Sequence, residues 1–153
     1  MTPAIIVSMA MSKLDDSLFL NVDLDIYSKT DLQPLVDALG NKVIEMWVGR
    51  VRRTYEAHLE VTWEPRKTPS STILRFCKLI NTLPPAKRRL WNAAKSKSLD
   101  VGIEAPKRNR HFWSAVSPEA VSAAAEVGAQ IAITIYGPMK VSKPKKKRAA
   151  PAK

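Results

Sequence analysis

The few residues of this chain that can do chemistry include a histidine placed between two carboxylates. Glu56, His58 and Glu60 occupy alternate positions, so on a β-strand their side chains project from one face. A histidine beside carboxylates is an arrangement that serves general acid–base catalysis. Alternating polar residues are also typical of the water-facing side of a half-buried strand, and we favour this second interpretation. An enzyme built on the Glu/His cluster is kept as a minor alternative.

Other signatures of catalysis are missing from the sequence. The two histidines and the single cysteine show no metal-ligand spacing, and Cys77 lies in an apolar helical pattern that predicts burial. The five glycines are dispersed, so they form no phosphate-binding loop. Asp23 and Asp25 are the polar residues of a strand in which polar and apolar residues alternate, so they are expected to face water. The sequence therefore predicts no catalytic residues, no metal and no cofactor.

Three short clusters of basic residues are a possible signal of binding. One fills a predicted turn, one begins the third predicted helix at Lys87, Arg88 and Arg89, and one runs directly into two aromatic residues, an arrangement that suits phosphates and stacked bases. The same aromatic residues can instead anchor a long loop to the domain. The candidate partner- or anion-binding residues are Arg50, Arg52, Arg53, Lys107, Arg108, Arg110, His111, Phe112 and Trp113.

The net charge of +11 belongs mostly to the last part of the sequence. Residues 140–153 contain seven basic residues and no acidic one, which leaves +4 for residues 1–139. Such a segment has too much like charge to pack, so we predict a disordered tail. In a eukaryote it would pass for a nuclear-localisation signal, and in a bacterium for a nonspecific nucleic-acid or solubility tail. Its candidate electrostatic contacts are Lys143, Lys145, Lys146, Lys147 and Arg148.

The elements that must position these residues follow from hydrophobic periodicity. Period-two alternation predicts five strands, at residues 18–27, 43–48, 55–63, 99–103 and 131–135. Apolar residues at helical spacing predict helices between them, with Ser71 or Thr72 as the cap of the second and Ser117 as the cap of the last. Gly40 and Gly128 are the expected helix stops.

This order of elements predicts an α+β domain. About five strands in a mostly antiparallel sheet, with three to four helices on one face, describe a ferredoxin-like or related split β-α-β architecture. We divide the chain into a flexible leader at residues 1–16, a single domain at 17–138 and the Lys-rich tail at 139–153. Residues 38–49 and 126–137 align without gaps as helix end, glycine, strand and glycine, which suggests an internal repeat.

The second half of the chain resembles a bacterial family of small domains catalogued as domain of unknown function four-two-seven-nine. The resemblance rests on LDVGIEA at residues 99–105 and on SPEAVSAAAEVGAQIAITIYG at residues 117–137. The strand and helix at 18–40 fit the same pattern, and Trp47 or Trp63 fits its strand tryptophan, whereas the basic tail and the Arg-rich turn do not belong to it. The resemblance implies an accessory or immunity-type binding protein and supplies no catalytic residue.

The sequence as a whole predicts a non-enzymatic binding module that occupies a protein partner, using the loop at residues 106–113 and the nearby sheet edge. The alternative is a nucleic-acid-binding protein that uses the tail and the Arg/Lys/aromatic loop. No stretch is apolar for long enough to predict a membrane helix, so we expect no membrane partner and a cytoplasmic location, or a nuclear one in a eukaryote. The partner and the oligomeric state stay open.

Overall fold

The structure of the protein is a computed structural model, and it describes residues 18–63, 67–106 and 111–137. The strands of this part of the chain are β1 (Phe19–Ser28), β2 (Val43–Val51), β3 (Thr54–Val61), β4 (Ser96–Glu104) and β5 (Gln130–Tyr136). Its α-helices are α1 (Gln33–Leu39), α2 (Pro69–Asn81), α3 (Pro85–Ala93) and α4 (Pro118–Glu126), and a short 3-10 turn (Gly40–Lys42) follows α1.

The five strands form one sheet in the order β2-β3-β1-β4-β5. Neighbouring strands are antiparallel except β4 and β5, which are parallel and are joined through α4. The predicted α+β class, with five strands and four helices, is confirmed. β5 is an addition to the plain β-α-β-β-α-β plan, so the ferredoxin-like assignment itself stays a prediction.

The core lies between the helices and one face of the sheet. Alternate residues of β1, namely Val22, Leu24 and Ile26, are fully buried, as the period-two pattern predicted. They share one apolar cluster with the inward side chains of the helices, including Phe76 and Trp91. The other residues of the same strands project from the opposite side, which no helix of the described residues covers. We call that side the open face.

Local sequence signals fix where the helices begin and end. The Ser117 side chain accepts a hydrogen bond from the backbone N–H of Ala120, so it caps α4 as predicted. Gly40 and Gly128 have φ angles of +62° and +73°, a left-handed conformation that glycine adopts without a steric penalty. Both predicted helix stops are therefore confirmed, and each one leads into an edge strand of the sheet.

The two ends of the sheet are distinct. β1 begins where β4 and β5 finish, since Glu104 N–H donates to Leu18 O and Ala105 N–H donates to Tyr136 O, both at 2.7 Å. We call this the lower end. The turn between β2 and β3, with Arg52 at a φ of 54°, lies at the opposite, upper end.

Several predictions concern residues outside the described part of the chain. These are the flexible leader, the Lys-rich tail with its electrostatic residues, and Lys107, Arg108 and Arg110. Among the residues that the structure describes, no helix has the length and apolar character needed to cross a membrane.

Candidate functional site

The open face gathers carboxylates from the three central strands. Antiparallel pairing sets Asp25 of β1 opposite His58 of β3, and Asp23 opposite Asp100 of β4. Like charges placed directly opposite each other repel, so this arrangement costs stability. The carboxylates of the open face are Asp23, Asp25, Glu56, Glu60 and Asp100.

His58 lies in the middle of this acidic group. Its Nδ1 is 2.6 Å from Asp25 Oδ1, and its Nε2 is 3.5 Å from Glu56 Oε2. The rings of Tyr27 and Trp47 flank the imidazole at centroid distances of 5.9 and 6.1 Å. Nδ1 is therefore hydrogen-bonded to Asp25, and Nε2 faces Glu56 without a hydrogen bond between them.

The acidic surroundings alter the protonation of Asp23. Partial burial, followed by the negative charges of Glu60, Asp25 and Asp100, raises the pKa of Asp23 from 3.8 to about 6, against a smaller lowering by His58. The ionised form is disfavoured first because the carboxylate is partly buried, and further because neighbouring carboxylates carry the same charge. A cation brought to the face from outside would relieve this repulsion.

Asp100 has acceptor capacity that is not used. Thr134 on β5 donates a hydrogen bond of 2.6 Å to Asp100 Oδ2, which fixes the orientation of the carboxylate. Oδ1 of the same group is buried and has no hydrogen-bond partner among the described residues. A buried acceptor without a partner is costly, so Asp100 adds to the destabilisation that the opposed carboxylates cause.

Aromatic surface borders the acidic group on the side of β2. A bulge between Glu45 and Trp47 breaks the regular register with β3 and sets Trp47 opposite His58 on the open face. The indole lies against Gly49, where a Cβ atom would come within 3.0 Å of Trp47 Cζ2. Trp47 remains 41% exposed, so its ring is available for contact with a partner.

The Arg-rich turn is at the upper end of the sheet. Arg50 Nε donates to the carbonyl oxygen of Arg52, and the Arg50 guanidinium lies 5.7 Å from the centroid of the Tyr55 ring. All three arginines of the turn, Arg50, Arg52 and Arg53, are exposed.

The aromatic loop is the segment at residues 105–116, and its described residues 111–116 are at the lower end. They lead into Ser117, whose N–H donates to the Ser70 hydroxyl in the first turn of α2. His111 is exposed, Phe112 is half-buried and Trp113 is 54% exposed. The structure therefore places the turn and the described part of the loop at opposite ends of the sheet, and it does not bring them together.

The acidic group was the feature that sequence reasoning missed as a unit. Alternation places Asp23, Asp25, Glu56 and Glu60 on the polar side of their own strands, as the structure confirms, but it gives no sign of Asp100 beside them. Their convergence depends on which strands are neighbours, and that information is absent from local periodicity. Within the residues described, no group of three or more His, Cys, Asp or Glu side chains is arranged to hold a metal ion.

Comparison with known proteins found no matching family model and no significant match among curated proteins or solved structures. The resemblance to domain of unknown function four-two-seven-nine therefore stays a prediction.

Proposed function

We propose that the protein is a non-enzymatic binding module whose open face holds a Lys- or Arg-containing segment of a partner protein. The observation that carries this proposal is the concentration of five carboxylates on one face of a chain whose net charge is +11. Carboxylates accept strong, charge-assisted hydrogen bonds from guanidinium and ammonium groups. The partner that suits this face is thus cationic, although most of the chain's own charge would attract anions.

The electrostatics of the open face favour such a partner. Burial and the charges of neighbouring carboxylates raise the pKa of Asp23 to about 6, so an incoming cation would stabilise its ionised form. Trp47 and Tyr27 border the same group and offer ring faces to a cation or apolar surface to its side-chain stem. An accessory or immunity-type role, as the family resemblance implies, is compatible with a face of this kind.

The geometry of His58 argues for binding over catalysis. An acid–base catalyst needs one nitrogen directed at the reacting group, whereas both nitrogens of His58 face carboxylates of the same sheet. We infer that His58 holds Asp25 and Glu56 in place, which makes it a positioning residue.

Nucleic acid is the second candidate partner, and it is supported by the seven basic residues at 140–153. The open face would repel phosphates, and the Arg-rich turn and residues 111–116 lie at opposite ends of the sheet. We therefore assign any nucleic-acid binding to the tail and assign the protein partner to the fold.

A charge-matched pair of variants tests the proposed function. Glu56→Gln/Glu60→Gln removes two carboxylates from the open face, and Asp31→Asn/Asp37→Asn removes two exposed carboxylates near α1. Binding of an arginine-rich peptide of about ten residues is followed by fluorescence anisotropy, and partner capture from the native host is compared in parallel. We expect the first variant to bind at least about tenfold more weakly, while the control keeps most of its affinity. If both variants lost the same affinity for the peptide, the effect would come from net charge alone, and the proposal would be wrong.

A further inference from the structure

The two edges of the sheet are built differently. β2 carries a bulge between Glu45 and Trp47 and ends in the Arg-rich turn, and both features discourage pairing with another strand. β5 has neither a bulge nor a charged turn at its end. Its residues, Gln130–Tyr136, include no charged residue and no proline, and they pair with β4 in unbroken register from Ser98 to Glu104. In the described structure β5 pairs with β4 alone, so its outer edge is available.

Apolar side chains accompany that available edge. Ile133 and Ile135 are 65% and 68% exposed, although they project from the same side of the sheet as the buried core residues Leu99 and Val101 of β4. A regular, uncharged strand edge with exposed β-branched residues is the kind that recruits another strand.

We propose that β5 pairs antiparallel with β5 of a second copy of the chain, forming a two-fold dimer with one continuous sheet of ten strands. The sequence Ile-Ala-Ile-Thr-Ile at residues 131–135 is nearly symmetric about Ile133. An antiparallel pair centred on Ile133 would set Ile131 opposite Ile135 of the second copy, so that isoleucine meets isoleucine on the helix side of the sheet, while Ala132 lies opposite Thr134 on the other side. This self-complementarity identifies a second copy as the occupant.

Charge supports the antiparallel orientation. The basic residues of the chain's last segment follow β5 directly in sequence, beginning at Lys140. In an antiparallel pair the two segments leave from opposite ends of the contact, and their positive charges are kept apart. A parallel pair would bring them together and would also lack the two-fold symmetry that closes a dimer.

The proposed function does not require the dimer, but a dimer would present two open faces to a partner. Because the two-fold axis would stand perpendicular to the sheet, the two open faces would lie on the same side. A partner with two basic segments could then contact both faces, which would raise its apparent affinity without any new contact type.

The test is the molar mass of the full chain in solution, measured by light scattering after size-exclusion chromatography. We expect about 34 kDa, twice the 17.0 kDa of one chain. Ile133→Lys would set two lysines face to face at the axis and should raise the dissociation constant at least about 100-fold. Met46→Lys, at an exposed position of β2, is the matched control and should remain dimeric. Thermal melting confirms that each variant is folded.

A second measurement locates the contact. Ile133→Cys should give a disulfide-linked dimer under mild oxidation, because opposite residues of an antiparallel pair lie within disulfide reach and the native Cys77 is buried. A monomeric wild-type chain would overturn the proposal, as would a dimer that Ile133→Lys leaves intact. If the chain becomes dimeric only after residues 2–10 are removed, that apolar segment occupies the edge and the proposal is wrong.

Discussion

Asp25 Oδ1 and His58 Nδ1 lie 2.6 Å apart and join β1 to β3 through their side chains, in addition to the backbone ladder. Replacing His58 with alanine would remove this contact and leave Asp25 and Glu56 without the group between them. We expect His58→Ala to lower the free energy of unfolding by about 1 kcal/mol, a modest value because the pair is partly solvated. Urea denaturation measures the change.

The other histidine provides the control for this variant. His111 is exposed, and no hydrogen bond joins it to the described residues. His111→Ala should therefore alter the free energy of unfolding by less than about 0.5 kcal/mol. If the two variants were equally stable, the Asp25–His58 contact would have no structural role.

Replacing Asp23 with a neutral residue should stabilise the folded protein, by an amount that depends on pH. Its pKa is about 6 in the folded protein and near 3.8 when unfolded, so the folded state binds this proton more tightly. The ionised group therefore lowers the free energy of unfolding above about pH 6, and this destabilisation decreases as the pH falls towards 4. Asp23→Asn should raise the free energy of unfolding at pH 8 by about 1 kcal/mol, after allowance for solvent screening, and should have little effect at pH 4. Denaturation curves at the two pH values test this.

Glu119 provides a comparison, because its pKa is shifted in the opposite direction. Hydrogen bonds from its own backbone N–H and from the Ser117 side chain lower the pKa of this exposed carboxyl at the start of α4. Its stabilising effect is present above its unfolded pKa of 4.5 and is lost as the pH falls. Glu119→Gln should thus reduce stability at neutral pH. A gain from Glu119→Gln, or a loss from Asp23→Asn at pH 8, would contradict this electrostatic description.

Trp91 links α3 to the segment between α4 and β5. Its side chain is fully buried, and its Nε1–H donates a 2.7 Å hydrogen bond to the carbonyl oxygen of Val127. Trp91→Phe would leave that carbonyl without its donor and would also create a small cavity. We expect a loss of about 2 to 3 kcal/mol in the free energy of unfolding. Trp113→Phe, at a 54% exposed position, should cost less than about 0.5 kcal/mol in the same thermal or chemical melts.

Deletion of residues 140–153 separates the tail from the fold in nucleic-acid binding. Six or so phosphate contacts should give weak, sequence-independent binding that falls roughly 10³-fold between 50 and 200 mM salt. We expect the deletion to abolish this binding, as measured by filter binding to a random single-stranded oligonucleotide. The control, Arg50→Gln/Arg52→Gln/Arg53→Gln, should retain most of it. Substantial binding by the truncated chain would show that the folded domain itself reads nucleic acid.

The sequence predicted the elements well because their signals are local. The alternation in β1 and β3, the Ser117 cap and the two glycine stops each depend on residues within one or two turns of one another. The expected cap of α2 was wrong. Thr68 caps that helix by accepting from the Ser71 N–H, and the Ser71 hydroxyl accepts from the Thr68 N–H, so Ser71 is the reciprocal member of a capping box.

The candidate site was harder to predict because it depends on strand order. Asp23 and Asp100 are 77 residues apart in the sequence and become neighbours only when β4 pairs with β1. The internal repeat, by contrast, has a structural counterpart that local signals could reveal. Each copy runs from a helix end through a left-handed glycine into an edge strand, β2 in the first copy and β5 in the second.

The shared lower end of β1 and β5 has a consequence for the connectivity of the fold. Only β4 lies between these strands, so Leu18 and Tyr136 are separated by about two strand spacings, or about 10 Å. A short glycine-rich linker could join them, and the chain could be opened instead at the exposed turn between Arg52 and Arg53. Such a circular permutant would keep every strand pairing. Its new termini would lie at β2 and β3, so these two strands would pair without a turn connecting them.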